Sequence, residues 1–85
     1  PEIEALEQKL AGSPDDLDVR YQLGVQYTNN KQFREAMEHL IAILRKDIGH
    51  GDGATKRMLL DTIASLGKGH PLGVEYQRKL YSLLY

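Results

Sequence analysis

The chain has 85 residues, with 12 acidic and 11 basic side chains, three histidines and no cysteine, enough for one small domain with a thin core and none of the thiol chemistry of cysteine enzymes, disulfides or cysteine-bound zinc. Residues 1–38 carry eight acids and four bases, net −4, and residues 39–85 carry four acids and seven bases, net +3. That basic excess is too small for the usual footprint of a nucleic-acid binder, and no run of about 18 apolar residues exists to cross a bilayer.

In chain order, the spacing predicts five helices and no strand. The first covers 2–11, with Ile3, Leu6 and Leu10 on one face, and has neither the basic nor the apolar region of a signal peptide. The second covers 15–29. Ser13 reads as its N-cap, Pro14 as its first helical position, and Asp15 and Asp16 suit the positive end of the helix dipole. The third covers 32–46, where Phe33, Ala36, Met37, Leu40, Ile41 and Leu44 recur at i, i+3, i+4, i+7, i+8 and i+11, the strongest periodic signal in the chain. The fourth covers 53–66, on Met58, Leu59, Ile63 and Leu66, with Gly67 as its C-terminal cap. The fifth covers 71–84, with Pro71 in its first turn, His70 as a candidate cap, and two apolar sides, Leu72–Tyr76–Leu80–Leu83 and Val74–Tyr81–Tyr85. The links are short, so consecutive helices should form antiparallel hairpins in one all-α domain, 1–85.

The stretch DIGHGDGATKR, residues 47–57, has the glycine density of a phosphate-binding loop. A Walker loop fails on spacing: Ala54 stands at the second glycine and Arg57 at the hydroxyl. The dinucleotide fingerprint also lacks its third glycine, again at Ala54. Both loops follow a strand, whereas a helical pattern precedes this one. The segment therefore reads as a helix break, with Gly49 ending the third helix and Asp52 capping the fourth. A weak anion site on Asp52, Lys56 and Arg57 is the alternative.

Other chemistry is sparse. His39, His50 and His70 are scattered, with no metal-ligand spacing among them. No nucleophile elbow is present, and the carboxylates gather at helix starts, where the dipole favours them. No catalytic residue, metal or cofactor is expected, and the chain reads as a non-enzyme. The tyrosines of the last helix, Tyr76, Tyr81 and Tyr85, form a candidate interface edge, since a terminal helix apolar on two sides needs a cover.

Helices two and three resemble one tetratricopeptide repeat over residues 17–50. Leu23 and Gly24 match its Leu-Gly pair, Tyr27 the large residue one turn on, Phe33 and Ala36 the aromatic and alanine opening the second helix, and Leu40 the next core place. The chain departs from the repeat at Arg20, where Trp is common, at Lys31 in place of the turn glycine, at Ile43 in place of a small residue, and at Ile48 in place of Pro. Across nearly its whole length, and above all in LRKD, DG and the ending YQRKLYSLLY, the chain also resembles the C-terminal region of bacterial thioredoxin-like proteins with a tetratricopeptide-type extension, the chaperedoxin or co-chaperone class.

The resemblance implies the C-terminal fragment of a longer cytoplasmic protein, in keeping with a start at Pro rather than Met. It implies that a thioredoxin-fold domain precedes this region and that the whole holds unfolded clients and passes them to large chaperones. The expected partners are those clients, chaperones or the protein's own thioredoxin-like domain, not nucleic acid or membrane. The clamp that some repeat domains close on chaperone carboxylates is not expected, because Tyr21 and Val25 occupy its Lys and Asn positions. Asp18, Tyr21, Val25, Thr28 and Asn29 would instead line a mildly apolar binding groove. Packing against its own chain or a second copy is the rival reading.

Overall fold

The computed structural model describes residues 1–85 as five helices: α1 Glu2–Gly12, α2 Leu17–Asn29, α3 Phe33–Lys46, α4 Ala54–Leu66 and α5 Pro71–Leu84. No strand is present, as the periodicity predicts. Helix α3 is the spine. It packs against α2, α4 and α5, while α1 lies on α2 and α4 pairs with α5. The wide apolar stripe explains this: Ala36, Met37, Leu40, Ile41, Ile43 and Leu44 are all buried, so α3 has neighbours on several sides. The shortest extent of the fold is 18 Å, the depth of two helix layers.

Two apolar clusters flank the spine. Met37, Leu40, Ile41 and Leu44 meet Leu59, Tyr76 and Leu80 on one side. On the other, Leu6 and Leu10 of α1 meet Leu23, Tyr27 and Ala36. Helices α2 and α3 cross where Gly24 faces Leu40: a Cβ at Gly24 would stand 2.7 Å from Leu40 Cδ2 and 3.6 Å from the Ala36 carbonyl. The two repeat-matching small residues, Gly24 and Ala36, thus stand at the close approach of the two helices.

Three predicted caps need correction. Helix α2 starts at Leu17, not 15, and its N-cap is Asp16, whose Oδ1 accepts the Val19 N–H at 3.1 Å. Ser13 instead closes α1, its N–H donating to the carbonyls of Lys9 and Leu10. Pro14 then sits in a turn that the Asp16 N–H closes on the Ser13 carbonyl at 3.0 Å, a position its fixed φ suits. At the other end of α3 the stop is Asp47 rather than Gly49; its Oδ1 accepts the Gly49 N–H at 3.1 Å. Asp52 does not cap α4. Residues 51–53 form a left-handed run (φ 66°, 54° and 88°), so Gly53 occupies the N-cap and Asp52 offers only its carbonyl, 3.4 Å from Arg57. The glycine density serves that run, which a β-carbon opposes. His70 does cap α5, Nδ1 accepting the Leu72 N–H at 3.1 Å, and Gly67 ends α4 with φ 96°.

Candidate interaction surface

The face of α2 predicted to be a groove has two unequal halves. At its start, Asp18 is bound by His50 of the α3–α4 link, Nε2 donating to Oδ1 at 2.9 Å. The His50 ring lies 6.1 Å from that of Tyr21, itself packed on the main core. Farther along, Val25 is half-buried, and the Thr28 hydroxyl donates to the Gly24 carbonyl at 2.8 Å. Asn29 is exposed and borders a shallow hollow shared with Pro1, Glu2 and Ile3. The fold therefore places all five residues on one helix: Asp18 is tied by His50 but its side chain stays 87% exposed, Val25 and Thr28 are half-buried, and Asn29 is exposed.

The second nitrogen of His50 lies 2.6 Å from Thr55 Oγ1. A carboxylate only accepts, so Nε2–H points to Asp18, which leaves Nδ1 to meet the Thr55 hydroxyl. This Thr–His–Asp order has the connectivity of a nucleophile relay. Thr55 is 0% exposed, so no substrate reaches its oxygen, and the relay instead ties α2, the glycine link and α4 together. Sequence reading missed it because its members lie 32 and 5 residues apart, outside any helical spacing.

His39 makes a similar tie between α3 and α2. Its ring stacks on Tyr27 at 5.7 Å, and Nδ1 accepts from Arg20 at 3.2 Å. Arg20 also donates to the Pro14 carbonyl at 3.3 Å, so the residue standing where Trp is common acts as a polar bracket. Burial lowers the His39 pKa below its ordinary value; Glu7, 3.8 Å away, opposes this and Arg20 adds to it.

The tyrosines of α5 divide. Tyr76 is 0% exposed and does not belong to an exposed edge; the turn of α5 aims it into the core beside Leu80. Its hydroxyl donates to Glu38, the main reason the Glu38 carboxyl titrates low, while burial raises the phenol pKa. Around it, Arg34 grips Glu75 through two bonds of 3.1 and 3.2 Å, and Lys79 reaches Glu38 at 3.1 Å and Glu75 at 3.3 Å. Tyr81 and Tyr85 are open, 47% and 98% exposed, edge-to-face at 6.2 Å and next to the exposed Leu83.

A sequence profile of the tetratricopeptide repeat matches residues 1–85. The chain belongs to the tetratricopeptide repeat family. It is similar to an uncharacterized protein of Haemophilus influenzae, 34% identical over all 85 residues, which make up 39% of that relative. It is also similar to a crystallised domain of unknown function from Vibrio parahaemolyticus, 40% identical with a TM-score of 0.87, covering the whole of this chain and 50% of that one. The chain thus spans about two-fifths of the curated relative's length. Tetratricopeptide repeats bind other proteins by stacking helical hairpins into extended surfaces. In this one, exposed apolar side chains gather at the end of α5, and no helix is long and apolar enough to cross a membrane.

Proposed function

We propose that this tetratricopeptide chain is the non-catalytic protein-binding region of a cytoplasmic thioredoxin-like co-chaperone. It engages unfolded clients or a large chaperone through the Tyr81–Tyr85 edge and the Val25–Asn29 part of α2. The observation that carries the reading is the exposed apolar end of α5, where Tyr81, Leu83 and Tyr85 lie open together in a family whose members bind proteins. Aromatic groups of this kind supply most of the affinity at interfaces. The motifs LRKD and YQRKLYSLLY supply the co-chaperone context. The test is site-specific photo-crosslinking from positions 25 and 85 of the full-length protein, offered a chemically unfolded client and, separately, a purified chaperone. Adducts from either position with either partner support the reading; a full-length protein that gives none, and does not slow client aggregation, overturns it.

The same exposed tyrosines favour a second reading, self-association through α5. Sedimentation at rising concentration separates the two, since a self-associating chain gains mass and the Tyr85→Ser variant does not.

A further inference from the structure

Each side of the α2–α3 hairpin is covered, by α1 on one and by α4 and α5 on the other. The α4–α5 hairpin has α3 against it and no helix on its outer side. That side is a hollow of about 450 Å³. Its floor is apolar, from Leu60, Ile63 and Ala64 of α4 and Val74 of α5, and the α4–α5 turn closes one end with Lys68 and His70. Gly73 meets Ile63 beneath it at ordinary contact distance, a Cβ there falling 3.4 Å from Ile63 Cγ2.

No carboxylate lines the hollow. Lys68 lines it; Lys56 stands one turn before Leu60 and Arg78 one turn after Val74, which puts both on its flanks. None of these three cations has an acidic partner within 4 Å. The neighbouring acid on α4, Asp61, is not part of the lining. His70 Nδ1 is held by the Leu72 N–H, which leaves Nε2 free. At the opposite end of the molecule an amphipathic helix of this kind already docks: α1 buries Leu6 and Leu10, one turn apart, and Glu7 reaches across to the Tyr27 hydroxyl and His39.

We infer that the α4–α5 hollow is a docking site for an acidic amphipathic helix of a partner protein, with apolar side chains one turn apart on the floor and carboxylates meeting Lys56, Lys68 and Arg78. A rim of hydrated, unpaired cations around a small apolar floor suits a surface that is covered reversibly. The inference stands on this hollow alone and is independent of the co-chaperone reading, which rests on other residues.

The test uses a labelled synthetic helix of about 16 residues, four to five turns, built from Leu, Ala and Glu with Leu at i, i+3, i+4 and i+7, and a twin with Lys for every Glu. Anisotropy should show the acidic helix binding at least tenfold tighter than its twin and weakening as salt rises. Amide shifts should centre on residues 60–77. Ala64→Glu, which fills the hollow from an exposed position, should cost at least tenfold, as should Lys68→Glu in the turn, with helicity unchanged by circular dichroism. Equal affinity for the two peptides, shifts confined to α2, no binding at about 1 mM peptide, or full affinity in a folded Lys68→Glu protein would each overturn the inference.

Discussion

The crossing of α2 and α3 offers the sharpest test of the packing argument. A methyl group at Gly24 would lie 2.7 Å from Leu40 Cδ2 and 3.1 Å from Leu40 Cγ, where carbon atoms prefer roughly 3.5–4.0 Å. Leu40 is fully buried in the main cluster, so it cannot swing into solvent to make room. Gly24→Ala therefore sets two effects against each other. Alanine improves the helix by about 1 kcal/mol, and overpacking costs about 1–3 kcal/mol. The net result should be a loss of up to about 2 kcal/mol, and Gly24→Leu should lose more, because the added atoms run into the Ala36 carbonyl 3.6 Å from the Cβ.

The contact is isolated by a double-mutant cycle with Leu40→Ala, read from urea midpoints at constant slope. Leu40→Ala alone should cost about 2–5 kcal/mol by leaving a cavity. Combined with Gly24→Ala, the new methyl moves into that cavity and the clash disappears, so the double variant should be more stable than the sum of the singles by at least about 1 kcal/mol. If Gly24→Ala stabilises the protein by the full propensity gain and the two changes simply add, Gly24 is not at a close contact and the crossing is wrongly placed.

Three further outcomes follow from the same structure. His50→Ala strands the buried Thr55 hydroxyl and should cost about 1–3 kcal/mol; adding Thr55→Val should restore part of that loss, and a variant as stable as the parent would sink the relay. Lys31 holds φ 62° in the α2–α3 turn, so Lys31→Gly should stabilise by about 0.5–1 kcal/mol, the left-handed strain of about 1–2 kcal/mol less glycine's entropy in the unfolded chain; an unchanged or lower urea midpoint refutes it. Burial depresses the folded pKa of His39, so between the ordinary histidine value of about 6.5 and the lower native one only the unfolded chain takes up that proton. This contribution is complete above about pH 6.5 and is lost as the pH falls towards the native pKa, above the window where Glu38, Glu75 and Asp15 protonate, and His39→Gln should flatten the slope there in urea titrations.

The helices and their core faces were legible because they rest on period. The i, i+3, i+4 stripe of α3 named Phe33, Ala36, Met37, Leu40, Ile41 and Leu44; Phe33 is half-buried and the other five are buried. Gly24 was legible through its match to the Leu-Gly pair of the repeat. Caps were less legible, since Ser13 and Asp16 are equally good acceptors and only the turn at Pro14 decides between them. Tyr76 was placed on an edge because α5 is apolar on two sides; the choice of buried side depends on where Glu38 of α3 stands across the interface, in reach of both Tyr76 and Lys79. The His50 relay left no trace in the sequence, because its members meet only after α2 and α4 are docked.

Accessibility, more than residue type, separates structure from function in this chain. Thr55, His50 and Asp18 have the order of a catalytic relay, yet the hydroxyl is sealed under its own helix, and removing the link should be felt in stability. Tyr76 has a strongly perturbed phenol for the same reason and serves as a core anchor. Two open surfaces are apolar or positively charged, the end of α5 and the outer side of α4–α5, while the far end of α2 is polar. In a stacked-hairpin fold each unit contacts only its neighbours, so an outer side that is not polar throughout calls for a partner. The acidic helix α1 lies on α2, and the outer side of α4–α5 carries an apolar floor and cations without acidic partners, an asymmetry already visible as −4 against +3 in the two parts of the sequence.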